Sequence, residues 1–178
     1  MVKNQGHARC IATGLKYLFE KDDFEYVIPM DGDGEDRPEE IKDFLSKIEN
    51  SNNKPIVGER VKRSEDLKFK ICYVLHKVFT LVFTGQLIKF GNFTCLPKSV
   101  VEKMINEKAT WNSFSGTLKK IERNLVSIPS VRGKRYFGPS KMSFYNLIRH
   151  SLSIISVFRK TFLIRSALFI ILYILLIK

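Results

Sequence analysis

The sequence predicts an α/β fold: a sheet with flanking helices, followed by an interfacial helix and a C-terminal helix of transmembrane type. Three observations predict it. Amphipathic stretches alternate with short apolar runs, the rhythm of strands joined by crossover helices. The first apolar run, Tyr26-Val27-Ile28-Pro29-Met30, leads into Asp31-Gly32-Asp33-Gly34-Glu35-Asp36, so the acids stand at the carboxyl end of a strand, where open α/β sheets bind ligands. Residues 119–165 hold eleven Lys or Arg against the single acid Glu122, beside the most apolar part of a 178-residue chain whose net charge is +12. Basic density next to apolar density points to an anionic membrane surface or phosphorylated ligands. Nucleic acid is not expected as a partner, because no helix-turn-helix, RNP or zinc pattern accompanies the charge.

The elements follow in order. Ala8 to Phe19 carries Ile11, Leu15, Leu18 and Phe19 at helical spacing. After the first strand, Asp31 and Asp33 are hard oxygen ligands two residues apart, and Gly32 lets the backbone bend so that both can approach one divalent cation. A solvated turn has the same composition. Pro38 suits the first turn of a helix running over Glu39 to Ile48, with Asp36, Glu39 and Glu40 near its positive end. The polar stretch from Glu49 to Lys54 ends it. Pro55-Ile56-Val57-Gly58 is a second strand, leading to Arg60, which is either an exposed cation or a bidentate partner for phosphate.

Leu67 to Leu87 predicts a long buried or membrane-surface helix; Lys68, Lys70, His76 and Lys77 leave too few clean apolar residues for the roughly 20 of a span. Gly91 to Lys98 follows with no element assigned, and Ser99 is expected to cap a helix reaching about Asn106. Val126 to Val131 is a third strand. The loop Arg132-Gly133-Lys134-Arg135-Tyr136-Phe137-Gly138-Pro139-Ser140-Lys141 suits either a diphosphate or anionic lipid headgroups. Ser143 to Phe158 has a broad apolar face and is expected to lie in a membrane surface, with His150 a structural or interfacial histidine and not a base. Thr161 to Ile177 approaches spanning length. Cys10, Cys72 and Cys95, like His7, His76 and His150, are scattered, so no zinc site or disulfide framework is expected, and the compartment is expected to be reducing.

Strand, Asp31-x-Asp33, acid, Asp36-x-Pro38-Glu39 and helix, in that order, resemble the metal-binding segment of family 2 glycosyltransferases with the GT-A fold, especially the polyprenyl-phosphate sugar synthases. Asn4-x-Gly6 followed by Ala12-x-Gly14-Leu15 is similar to the helix before that segment. Gly58-x-Arg60 is similar to the family's Gly-Ser-Arg, and Arg135-x-x-Gly138-x-Ser140-Lys141 to the block before its membrane segment. The resemblance implies a partial GT-A-like sheet over residues 1–141, the C-terminal portion of a catalytic domain. An interfacial helix would follow over 142–160 and an incomplete transmembrane segment over 161–178.

The resemblance further implies a metal-dependent, inverting transfer of a sugar from a nucleotide diphosphate sugar to a membrane-associated acceptor such as a polyprenyl phosphate. A divalent metal, Mg2+ or Mn2+, would sit on Asp31 and Asp33, with Arg60, Arg135, Ser140 and Lys141 on the diphosphate. The family usually carries an Asp ahead of a Ser-Gly-Phe-Arg-like turn where this chain has Gly91-Asn92-Phe93, so Asn92 marks the acceptor region and no general base is assigned. Family members begin with further strands that form most of the nucleoside pocket. The chain is therefore expected to be N-terminally truncated and weak or inactive alone, anchored at the cytoplasmic face by its C-terminal helix. The competing expectation is a non-catalytic, basic membrane-surface protein whose acidic run is only a turn.

Overall fold

A computed structural model describes residues 3–62, 67–138 and 144–177. Helix α1 (His7–Lys21) comes first, then strand β1 (Tyr26–Val27) and the acidic loop. A single 3-10 turn (Pro38–Glu40) opens helix α2 (Ile41–Ile48), with Pro38 at the first position, where its missing N–H costs nothing. Strand β2 (Ile56–Lys62), helix α3 (Leu67–Thr84), strand β3 (Phe90–Pro97), helices α4 (Lys98–Asn106) and α5 (Phe114–Ile121) and strand β4 (Val126–Val131) follow. Helices α6 (Phe144–Val157) and α7 (Arg159–Ile177) close the chain.

The four strands form one mixed sheet in the order β1-β3-β2-β4. Strand β4 runs parallel to β2, with Ile56 opposite Val126, whereas β3 runs antiparallel to both neighbours, Ile56 facing Cys95 and Tyr26 facing Pro97. The expectation of three strands in a parallel rhythm is thus corrected by β3. No element is expected from the sequence over Gly91 to Lys98, and the second half of β3 is buried without alternation, as a central strand covered on both faces must be. Helix α4 begins at Lys98, with Pro97 rather than Ser99 in the capping position. No element is assigned from the sequence to residues 107–125; Phe114, Leu118 and Ile121 there stand at helical spacing, and Ser113 caps α5, its Oγ accepting from the backbone N of Gly116 at 3.2 Å.

Helices cover both faces of the sheet. Successive strand residues point to opposite sides, so Val57 and Leu96 join Leu15, Val100, Val101, Met104, Phe114 and Leu118 beneath α1, α4 and α5. Ile56, Phe93, Cys95 and Ile128 meet Phe44 of α2 on the other side. Phe44 and Phe93 pack edge to face with centroids 4.8 Å apart. Such an aromatic pair adds about 0.5–1.5 kcal/mol to its area burial.

Helices α3, α6 and α7 pack on one another outside this sandwich. Helix α7 runs unbroken across Arg165 and is long and apolar enough to cross a membrane. Helix α6 lies within residues 142–160, and Ile154, Val157 and Phe158 at its end pack onto Ile88 and Ala109.

Candidate active site

Because β3 is antiparallel to its neighbours, β1, β2 and β4 point the same way. Their carboxyl ends and the amino end of β3 therefore share one edge of the sheet. Residues singled out from distant parts of the sequence meet there: Asp31 and Asp33 after β1, Arg60 near the end of β2, Asn92 near the start of β3, and Arg135 after β4. This is the crevice in which open α/β sheets hold ligands.

The acidic loop is shaped by its own carboxylates. Asp36 is buried, and its Oδ2 accepts the backbone N–H of Asp31 at 2.9 Å. Asp33 Oδ1 accepts the N–H of Glu35 at 3.0 Å, an Asx turn. At its far end Glu40, also buried, accepts from Ser130 Oγ at 2.7 Å and from the N–H of Val131 at 2.9 Å. That carboxylate fixes the start of α2 to the end of β4, and so fixes the acidic loop beside the basic loop that β4 delivers.

The two loops are then tied directly. Arg135 Nη2 lies 2.9 Å from Asp33 Oδ2 and 3.4 Å from Glu35 Oε2, and Arg132 also pairs with Glu35. Two backbone bonds complete the junction: Gly133 N–H to Glu35 O and Tyr136 N–H to Asp33 O, each 2.9 Å. The approach is close enough to demand glycine on both sides. Gly34 has φ +88°, and a Cβ there would meet the Tyr136 ring at 2.7 Å; a Cβ on Gly133 would collide with the carbonyl oxygen of Gly34.

A second group converges on Asp31. His7, at the start of α1, places Nε2 2.9 Å from Asp31 Oδ1. Asn92 Nδ2 stands 3.4 Å from both ring nitrogens, so its amide lies across the imidazole rather than along one lone pair. The hydrogen bond to Asp31 raises the His7 pKa, opposed by desolvation and helped by the charges of Asp31, Asp36 and Asp33. The same bond lowers the Asp31 pKa against desolvation, with Arg60 and Arg132 helping. Asp36 moves the other way, because burial outweighs its hydrogen bond and the nearby guanidinium groups. Arg60 rests its guanidinium against Gly91. Desolvation lowers the His150 pKa, with the charges of Arg60 and His7 adding to it.

The predicted Asp31, Asp33, Arg60, Arg135 and Asn92 are therefore brought together, whereas Ser140 and Lys141 lie outside the described residues. His7, Glu35, Asp36, Glu40 and Arg132 join the site without having been assigned to it. Glu35, Asp36, Glu40 and Arg132 lie inside stretches that the sequence analysis marked without giving them a site role, and His7 follows Asn4-x-Gly6 directly. Among the described residues no three His, Cys, Asp or Glu side chains gather as a metal cage. Two carboxylates nonetheless suit a Mg2+-type ion, which keeps waters and is held by one or two carboxylates together with substrate phosphates. For an anion, the Nε atoms of Arg132 and Arg135 are buried without a hydrogen-bond partner.

No protein-family model matches the chain. The chain is 27% identical over 97 residues to the uncharacterized protein MJ0544 of Methanocaldococcus jannaschii, an alignment covering 52% of this chain and 42% of that protein. The chain thus spans about two fifths of the length of the curated relative it matches.

Proposed function

We propose that this chain carries the metal- and diphosphate-binding side of a membrane-associated glycosyltransferase of the GT-A class. The observation that supports this most is the meeting of the Asp31–Glu40 and Arg132–Tyr136 loops at the carboxyl edge of the sheet, through Asp33–Arg135 and Glu35–Arg132. The first loop is one of the two blocks on which the resemblance rests, and Arg135 is the first residue of the other, Arg135 to Lys141. In this reading the Asp31 and Asp33 carboxylates would hold a divalent ion, which would supply positive charge to the leaving diphosphate. Arg135 and Arg60 supply charge-assisted hydrogen bonds to the phosphoryl oxygens.

The acceptor is read as a lipid-linked phosphate. One of its oxygens attacks the anomeric carbon from the face opposite the diphosphate. The bond from that carbon to the diphosphate oxygen breaks, the electron pair leaves with the nucleoside diphosphate, and the configuration inverts. A phosphate nucleophile is already an anion and needs little help from a base, which suits an amide, Asn92, in the acceptor region. Helix α7, long and apolar enough to cross a membrane, suits an acceptor that arrives from a membrane surface, read here as the cytoplasmic one.

The test is calorimetric titration of a panel of nucleotide diphosphate sugars with Mn2+ present, on the wild type, Asp33→Asn and Arg135→Ala. The proposal expects one donor to bind the wild type in a metal-dependent way, Asp33→Asn to lose that dependence, and Arg135→Ala to weaken binding by about tenfold or more, the scale of one charge-assisted bond. If no donor binds while anionic vesicles bind the chain in a salt-sensitive manner, the acidic run is a turn and the chain a surface-binding protein.

A further inference from the structure

Helix α3 is built inside out. At 3.6 residues per turn, Val74, Leu75, Val78, Leu81 and Val82 share one face with Phe79 at its edge, and all six are exposed. Thr80 and Thr84, at 3% and 1% exposure, lie on the opposite side. The hydroxyls thus face protein and the aliphatic groups face outward, the reverse of a surface helix in water. The inward face needs no water, since Thr84 Oγ1 donates to the carbonyl of Thr80 at 2.6 Å.

What covers the outer face is indicated by its neighbour. Helix α7 has no buried residue and is apolar around its circumference. It packs on α3 through Phe83, whose ring lies 5.4 Å from that of Phe162 and 5.8 Å from that of Phe169. Arg165, the cation that interrupts α7, donates from Nη1 to the carbonyl of Val82 at 2.9 Å, near the C-terminus of α3. A cation at a helix C-terminus meets the negative end of the dipole. Arg165 is in this way partnered inside an apolar layer. Phe169 stands ten residues into α7, which at 1.5 Å per residue is about 15 Å, half of a hydrocarbon core of about 30 Å.

We infer that α3 is a second membrane-embedded element: its Val74–Val82 face is covered by lipid acyl chains, and it enters the bilayer alongside the first half of α7. The occupant follows from continuity with α7, from the inverted polarity of α3, and from the pairing of Arg165 within the helical layer. The inference is independent of any sugar chemistry at the site.

The test uses the full chain with Trp111→Phe as background, reconstituted into phosphatidylcholine–phosphatidylglycerol vesicles whose acyl chains are brominated. Single tryptophans are placed by Val78→Trp and, as a second reporter, Leu75→Trp on α3, by Leu172→Trp on α7, and by Tyr17→Trp on α1. Both α3 reporters and the α7 reporter are expected to shift to the blue and to lose most of their fluorescence, while the α1 reporter keeps its own. Quenching confined to the α7 reporter would overturn the inference, as would quenching of none of the four. So would α3 reporters that escape the bromolipid but respond to protein concentration, since the face would then be covered by a second copy of the chain.

Discussion

The sheet sandwich and the α3–α7 pair obey opposite rules. In the sandwich, Phe44, Leu118 and Met104 are wholly buried and charge stands at the rim, much of it collected at one edge. In the pair, Leu75 is 64% and Leu176 77% exposed while the threonines turn inward. The difference teaches that the same aliphatic side chain has a different value on each side of the molecule. Below the sheet it drives folding by leaving water; on α3 and α7 it does so only when lipid replaces water. The two regions meet where α6, which packs on α3 and α7, also packs on α5 of the sandwich.

The sharpest way to break that contrast is a pair of truncations. Leu118→Ala, in the core, is expected to cost about 2–5 kcal/mol in denaturant unfolding. Leu75→Ala on α3, measured in the same detergent solution, should stay within about 0.5 kcal/mol. Equal losses would erase the distinction.

Next in size is Glu40→Ala, which strands the Ser130 hydroxyl and the Val131 amide beneath the junction of the loops. It should cost about 1–3 kcal/mol and speed hydrogen exchange at Val131 beyond that of Ile56.

Thiol chemistry gives a yes-or-no version of the same comparison. Burial pushes the Cys95 thiol up to about 11, and the residue sits between the sheet and α2, whereas Cys10 is exposed on α1. At pH 8 a maleimide should therefore modify Cys10 in the folded chain and Cys95 only after denaturant is added, as mapped by peptide mass spectrometry. Modification of Cys95 at the rate of Cys10 would place β3 at the surface.

The smallest expected effect is a pH window. The His7 pKa is raised above its ordinary 6.5. Its contribution is therefore present in full below 6.5 and lost as pH rises through the raised value. Asp31 is lowered from 3.8, so its contribution is present above that value and lost as pH falls through the lower one. Unfolding measured against pH should show a shallow maximum between these limits that His7→Gln flattens. His7 is 59% exposed, so solvent screening keeps the effect small.

Much of the fold was legible where one rule governed the residues. Leu15 and Leu18 carry a helical period, Val126–Val131 alternates, and Pro38 marks a helix start. Strand β3 was not legible, because Phe93 to Pro97 are buried on both sides by partners far away in sequence and its Gly91-Asn92 imitates a turn. At the site, the acids of Asp31–Asp36 announced themselves by density. His7 did not, since only the folding of α1 against β3 and the acidic loop brings its ring to Asp31. Helix α3 could be read as apolar, but which of its faces looked outward depended on packing by α6 and α7.

The central claim is that Asp31 and Asp33 share a divalent ion with a diphosphate. It is tested most directly by following free Mn2+ with electron paramagnetic resonance while the chain is titrated, with and without a nucleoside diphosphate. The account predicts weak binding by the protein alone, a marked tightening when the diphosphate is present, and loss of that tightening in both Asp31→Asn and Asp33→Asn. Binding that ignores the diphosphate, or that survives both substitutions, would contradict it.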